Sequence, residues 1–256
     1  ITEEKPYRKA AHLFRFHSWL PFYADVNKLT ENLEQLPIRP GFILYSQNEI
    51  STLTSSLGYS YDQGYHKIFP AFYWRGWYPV VEFSAQLGGP AQVMPLPASV
   101  EVPAKPMPYY EFTLKTYVPM VFSKGGYNIR LQPGIDYQQL GIWHYSNATL
   151  LQVIDFIHFR TQLSRYKRLA ARDFLPPSGQ SLSVTLTETV LDKDLFGNLY
   201  SIETGLYFPG LVPQHYFYIT GGYQQQHVEK YYIPINRIDF PRGFQSTVSE
   251  QLSSVS

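Results

Sequence analysis

The chain has 256 residues, with 21 Lys plus Arg against 20 Asp plus Glu. That balance excludes the basic footprint of a nucleic-acid binder or a polybasic membrane-surface protein. Cysteine is absent, which excludes a disulfide framework, a thiolate nucleophile and any Cys-bearing zinc site. Only 16% of residues are charged and 17% are aromatic, yet mean hydropathy is -0.23. A sheet with one face to lipid and one to water averages to such a value, and it gathers Tyr, Trp and Phe into belts at the two interfaces. The plainer alternative is a soluble all-β sandwich with a Tyr-rich surface. No apolar run reaches the ~20 residues that a membrane helix needs. No signal peptide is present, and the start at Ile1 implies a processed chain or a piece of a longer one.

Residues 1–41 show no clean period and are expected to form an irregular segment that packs on a larger body or plugs a lumen. Within it, Asn27 to Leu36 predicts a short helix stopped by Pro37 and Pro40. From Phe42 the period becomes two, and residues 42–256 are expected to form one barrel domain. Strands are predicted at Ile50–Asp62, Tyr65–Tyr73 and Tyr78–Leu87, the last two joined at Trp74-Arg75-Gly76-Trp77. The proline-rich stretch 88–107 cannot hold a ladder. Glu111–Phe122 alternates, and Ser123-Lys124-Gly125-Gly126 is a tight turn. In the next strand Ile129, Leu131, Pro133, Ile135 and Tyr137 oppose Asn128, Arg130, Gln132, Asp136 and Gln138. Further strands are predicted at Leu151–Leu163, Leu182–Thr187, Tyr200–Phe208 and Tyr216–Tyr223. Nine strands of roughly 9–13 residues suit tilted membrane spans better than a soluble sheet. Short turns at 123–126, 171–179 and 209–213 fall on one side. Longer connections at 88–107, 141–149, 191–198 and 226–244 fall on the other, as in outer-membrane barrels.

Several stretches resemble large outer-membrane proteins of Bacteroidetes that join a TolB-like propeller to a C-terminal barrel. They are Trp74-Arg75-Gly76-Trp77-Tyr78-Pro79-Val80, Arg172-Asp173 with Gly179-Gln180, Tyr207-Phe208-Pro209-Gly210-Leu211, Gly221-Gly222-Tyr223-Gln224 and Phe240-Pro241-Arg242-Gly243-Phe244. That barrel is similar to distant members of the BamA/TamA superfamily, and the likeness spans about residues 7–256. The resemblance implies an antiparallel transmembrane β-barrel of about 14–16 strands when complete, with closing strands beyond Ser256. It implies an outer-membrane location in a Gram-negative cell and a non-enzymatic role in the insertion, assembly or translocation of surface proteins. Its partners would be outer-membrane lipids and other outer-membrane proteins or lipoproteins. It also implies that the loop carrying Arg242, Gly243 and Phe244 folds into the lumen as a latch after the family's eleventh strand.

Asp136 and Glu203 are the strand acids that could meet a lumenal arginine, although both also suit a plain wet interior. Trp74, Trp77 and Tyr78 flank a strand end as interface aromatics would; a carbohydrate platform is the competing reading. None of the seven His has a partner at metal-ligand spacing, and no cofactor is implied. A passive pore or nutrient-binding barrel is the main alternative. A barrel hydrolase built on His158 and a serine such as Ser164 is a weaker one.

Overall fold

The computed structural model describes residues 14–23, 39–94, 99, 101, 107–146, 149–169, 176–191, 193–212, 215–233, 237–238 and 251–255. It is all-β apart from one four-residue helix, and most strands belong to a large antiparallel sheet. The first strands are β1 (Phe16–Leu20), β2 (Gly41–Gln47), β3 (Leu53–Asp62), β4 (Tyr65–Trp74), β5 (Val80–Gly88), β6 (Gln92–Val93), β7 (Tyr110–Tyr117) and β8 (Met120–Lys124). There follow β9 (Tyr127–Leu140), β10 (Ile142–Ser146), β11 (Thr149–Leu151), β12 (Ile154–Lys167) and β13 (Gly179–Thr189). Helix α1 (Lys193–Phe196) precedes β14 (Asn198–Pro209), β15 (Tyr216–His227) and β16 (Gln251–Val255). Among the described residues no helix is long and apolar enough to cross a membrane, which says nothing of strands.

Two compact units divide the chain: Ile1–Lys115 with Gln139–Val153, and Thr116–Gln138 with Ile154–Ser256. In the first, β1 to β5 pair in sequence order, all antiparallel. β6, β10 and β11 form a separate small sheet, with Ile142–Trp143 running parallel to Gln92–Val93. In the second, β8 pairs with β9, β12 lies beside β9, and β12 to β16 continue as an antiparallel meander. Among the described residues β1 pairs with β2 alone and β16 with β15 alone.

Several expectations need correction. Residues 16–20, expected to be irregular, form β1 against β2, with the register slipping between Phe16 and Ser18. The helix expected over Asn27–Leu36 lies outside the described residues. The strand expected to start at Ile50 starts at Leu53. Asn48 turns the chain there, accepting from the Leu53 N–H at 3.0 Å and donating to Thr52 at 2.7 Å, and Ser51 takes a φ of 55°. A short polar side chain that bonds its own backbone competes with the ladder in this way. Glu111–Phe122 is broken at Val118-Pro119, because Pro119 has no N–H to give. The segment 141–149, expected to be a loop, contributes a hairpin, and the strand expected from Leu151 begins at Ile154. The 191–198 loop contains α1. The tight turn at 123–126 is present, with Gly125 and Gly126 at φ 58° and 79°, values that glycine adopts without steric cost.

Strand number rises accordingly. Among the described residues fifteen strands precede residue 228; three form the small sheet, and β8 continues β7 past Pro119, leaving eleven. The two missed strands lie before residue 50, where β1 is only five residues long and β2 carries no clean alternation.

The faces of the second unit are inverted relative to a soluble sheet. Phe159, Leu186 and Tyr200 share one row, and Leu163, Leu182 and Thr204 another. All six are exposed, Leu186 at 48%. On the opposite face the same strands bury Thr185, Thr187, Ser201, Gln224 and Gln226, Thr187 completely. Water drives apolar side chains inward, whereas this sheet buries threonine and glutamine and exposes leucine and phenylalanine.

Candidate functional site

The register assembles the polar face of the second unit row by row, buried at the His158 and Arg160 rows and more open at the Gln162 row. Arg160 stands level with Thr185, Ser201 and Gln224; His158 with Thr187, Leu199 and Gln226; Gln162 with Ser183, Glu203 and Gly222. On the neighbouring β9, Asp136 accepts from Arg160 Nη2 at 2.6 Å, and its carboxylate is almost wholly buried. A charge-assisted bond this short in a dehydrated setting is among the stronger polar contacts a protein makes. His158 is sandwiched between Gln138 Oε1 at 3.2 Å and Thr187 Oγ1 at 2.8 Å. The amide oxygen can only accept, so the contact with Gln138 is one in which Nε2–H donates.

A return of the chain covers this face. The backbone N–H groups of Lys230 and Tyr231 both donate to the Leu195 carbonyl, at 3.0 and 2.8 Å. Ile233 N–H donates to Gln226 Oε1 at 3.1 Å, and Arg237 N–H to Gln224 Oε1 at 2.8 Å. Two buried glutamines thus serve as backbone receptors for the returning segment. Its apolar side chains, Ile233 and Ile238, are buried together with Ile154, Phe156, Leu195, Phe196 and Leu199. At the loop end of the face Phe196 meets Phe156 edge-on and lies beside Tyr231, which makes an apolar cap there. Three tyrosines gather at the turn end: Tyr207 stacks on Tyr218 at 4.2 Å and meets Tyr166 edge-on at 5.6 Å. Gly179, opposite both Tyr166 and Tyr207, has no room for a Cβ, which would lie 2.3 Å from the Tyr166 ring. A polar cavity of about 370 Å3, bordered by Arg130, Glu203 and Tyr218, lies toward this turn end.

Arg237 brings a second guanidinium to Asp136 and Arg160. Burial first, and the Arg160 charge second, hold it below the usual arginine range, while Asp136 and Glu203 act in the opposite direction. Its Nε is buried and finds no hydrogen-bond partner among the described residues. Two acids and two arginines therefore share the buried face. Glu203 and Asp136 both stand on it. Arg242, Gly243 and Phe244 lie outside the described residues. Arg237 was missed in the sequence, although it sits five residues upstream in the same stretch. Its flanking Ile235 and Ile238 are the signal, because an arginine between isoleucines is a candidate for burial.

Trp74 and Trp77 meet edge-on at 5.7 Å, and Trp77 and Tyr78 are strongly exposed, at 71% and 66%. At the opposite end of β4 the Tyr59 hydroxyl bonds His66 Nδ1 at 2.8 Å, and Tyr61 packs on the same imidazole. Between these ends the same face exposes Leu57, Ile68, Phe72 and Leu87. Ser164 lies six residues from His158 along β12, about 20 Å in an extended strand, so the two do not form a catalytic pair. Among the described residues no group of three or more His, Asp or Glu is placed to hold a metal. Compared with protein-family models, curated proteins and solved structures, the chain gives no match.

Proposed function

We propose that this chain forms part or all of an outer-membrane β-barrel of BamA-like kind, non-enzymatic, that takes part in the insertion, assembly or translocation of surface proteins or forms a fixed subunit of such a machine. The observation that carries the membrane part is the inverted second unit, with Leu182, Leu186 and Phe159 outside and Thr185, Thr187 and Gln224 inside. The aromatic groups at the two ends of β4 support it. From His66 to Trp74 the strand advances about 27 Å, or about 21 Å along the normal at a tilt of ~40°, close to the ~25 Å apolar band of such barrels. Eleven ladder strands before residue 228, among the described residues, agree with the place of the latch loop in the superfamily that the sequence resembles. Barrel closure, the lipid contact and the partner proteins belong to this proposal. The packed charges and the returning segment favour a structural interior over a passive pore in the second unit.

Leu186→Arg tests the membrane reading. On a lipid-facing strand the substitution is expected to destabilise the folded barrel by about 2–4 kcal/mol; on a water-exposed surface it should fall within about 0.5 kcal/mol. Urea unfolding in lipid vesicles distinguishes the two, and a neutral result counts against lipid at this face.

Arg237→Ala and Arg242→Ala test the latch. Arg237→Ala is expected to cost about 1–2 kcal/mol, because it removes a cation shared by two acids while Asp136 keeps Arg160. Both variants are expected to lower the yield of assembled surface proteins in cells depleted of the wild-type copy. Unchanged barrel stability together with unchanged assembly in both would remove the latch.

A further inference from the structure

We infer that the first unit holds a binding site for a neutral polyhydroxyl ligand of the oligosaccharide class on its polar face. A cavity of about 710 Å3 opens there, bordered by residues of β1 to β5 and β7, within the ~300–1,000 Å3 typical of small-ligand sites. The register builds its shape. Tyr45 stands level with Ser56 and Ala71, and the adjacent row brings Thr54, Tyr73 and Glu82 into line. Tyr45 and Tyr73 belong to strands two apart, about 10 Å across the sheet. The small Thr54 and Ser56 side chains lie between them on β3, both tyrosines border the cavity, and Arg75 lies over the Tyr73 ring at 5.5 Å.

The chemistry of the cavity selects the ligand. Tyrosine rings present an apolar face suited to the C–H side of a sugar, with a hydroxyl at the rim. The Thr54 and Ser56 hydroxyls donate or accept as needed, which matches a ligand whose own hydroxyls do the same. Glu82 and Lys115 both border the cavity. One acid offsets one lysine, and His17 is the other basic side chain at the border, so the lining gathers no cluster of like charge for a phosphate or a polyamine. A peptide added as an extra strand needs a free backbone edge, whereas β2, β3 and β4, which carry Tyr45, Thr54, Ser56 and Tyr73, are paired on both sides. The exposed Trp77 and Tyr78 do not border this cavity, so the site is separate from the proposed interface aromatics. It also does not depend on whether the opposite face meets lipid.

The full chain, folded in detergent micelles, is titrated by calorimetry with maltotriose and cellotriose, and with inositol hexaphosphate and spermidine as charged comparators. Saturable binding of at least one neutral trisaccharide is expected. Tyr73→Ala and Tyr45→Ala should each weaken it by about tenfold, and Tyr73→Phe, which keeps the ring, by clearly less. Far-UV circular dichroism checks that each variant is folded. The proposal is overturned if neither trisaccharide binds the folded protein, if only a charged comparator binds, or if both alanine variants bind as tightly as the parent.

Discussion

Asp136→Ala is expected to destabilise the second unit by about 3 kcal/mol, at the lower end of the range for breaking a buried ion pair. The carboxylate is almost wholly buried and takes a 2.6 Å bond from Arg160, whose side chain keeps about a quarter of its surface in solvent (28%). Its loss leaves the Arg160 guanidinium without its partner and beside the charge of Arg237. The residual exposure of Arg160 tempers the cost, since water can reach part of the orphaned cation. Urea unfolding followed by heat-modifiable gel migration reads the effect. Adding Arg160→Met to Asp136→Ala should recover most of the lost stability, because removing both charges also removes the orphan. A single-variant shift below about 0.5 kcal/mol would mean that water already screens the pair.

Phe196→Ala is expected to cost about 3–5 kcal/mol, the range for truncating a fully buried phenylalanine. Helix α1 has only four residues, and it ends where Gly197, at φ 62°, returns its N–H to the Lys193 carbonyl. So short a helix contributes little stability of its own. Its value lies in placing Phe196 edge-on to Phe156 at 6.0 Å and beside Tyr231 at 6.1 Å, and in offering the Leu195 carbonyl to two N–H groups of the returning segment. The truncation should therefore loosen the returning segment as well. Limited proteolysis in the 228–238 region is expected to accelerate along with the fall in unfolding midpoint. Leu191→Ala, at an exposed position in the same connection, should change stability by less than about 0.5 kcal/mol. Equal effects at the two positions would show that the apolar cap contributes no more than surface contacts do.

Much of the fold is legible in the sequence where side chains alternate. Leu182, Val184 and Leu186 against Ser183, Thr185 and Thr187 predict β13 without help, and the polar face of β9 is readable from Asp136 and Gln138. The sequence does not say which of the two faces is buried, because a period of two is the same for a sheet that hides leucine and a sheet that hides threonine. Near-neutral mean hydropathy and many aromatics point to the second kind, but the burial of Thr187 beneath an exposed Leu186 is a tertiary property. Local chemistry overrode the pattern at the strand ends. The Asn48 side chain, the missing N–H of Pro119 and the glycine pair at 125–126 set boundaries that hydrophobic period alone misplaces or leaves open.

The candidate site divides in the same way. Asp136 and Glu203 are identifiable as strand acids with only their own neighbours in view. Their company is not, because Arg160 reaches Asp136 through strand pairing 24 residues away and Arg237 arrives on a segment that folds back over the sheet. Contacts of that separation depend on the register, and a slip of one residue would send every one of these side chains to the opposite face. The sequence by itself determined most of the long ladder strands from Leu53 onward, the turn at 123–126 and the two chemistries that alternate along them. Only the tertiary structure decided which chemistry is enclosed, that Gln224 and Gln226 receive the returning backbone, and that Arg237 joins the buried charges. Those outcomes follow from burial and hydrogen-bond satisfaction across paired strands, which no local window of residues contains.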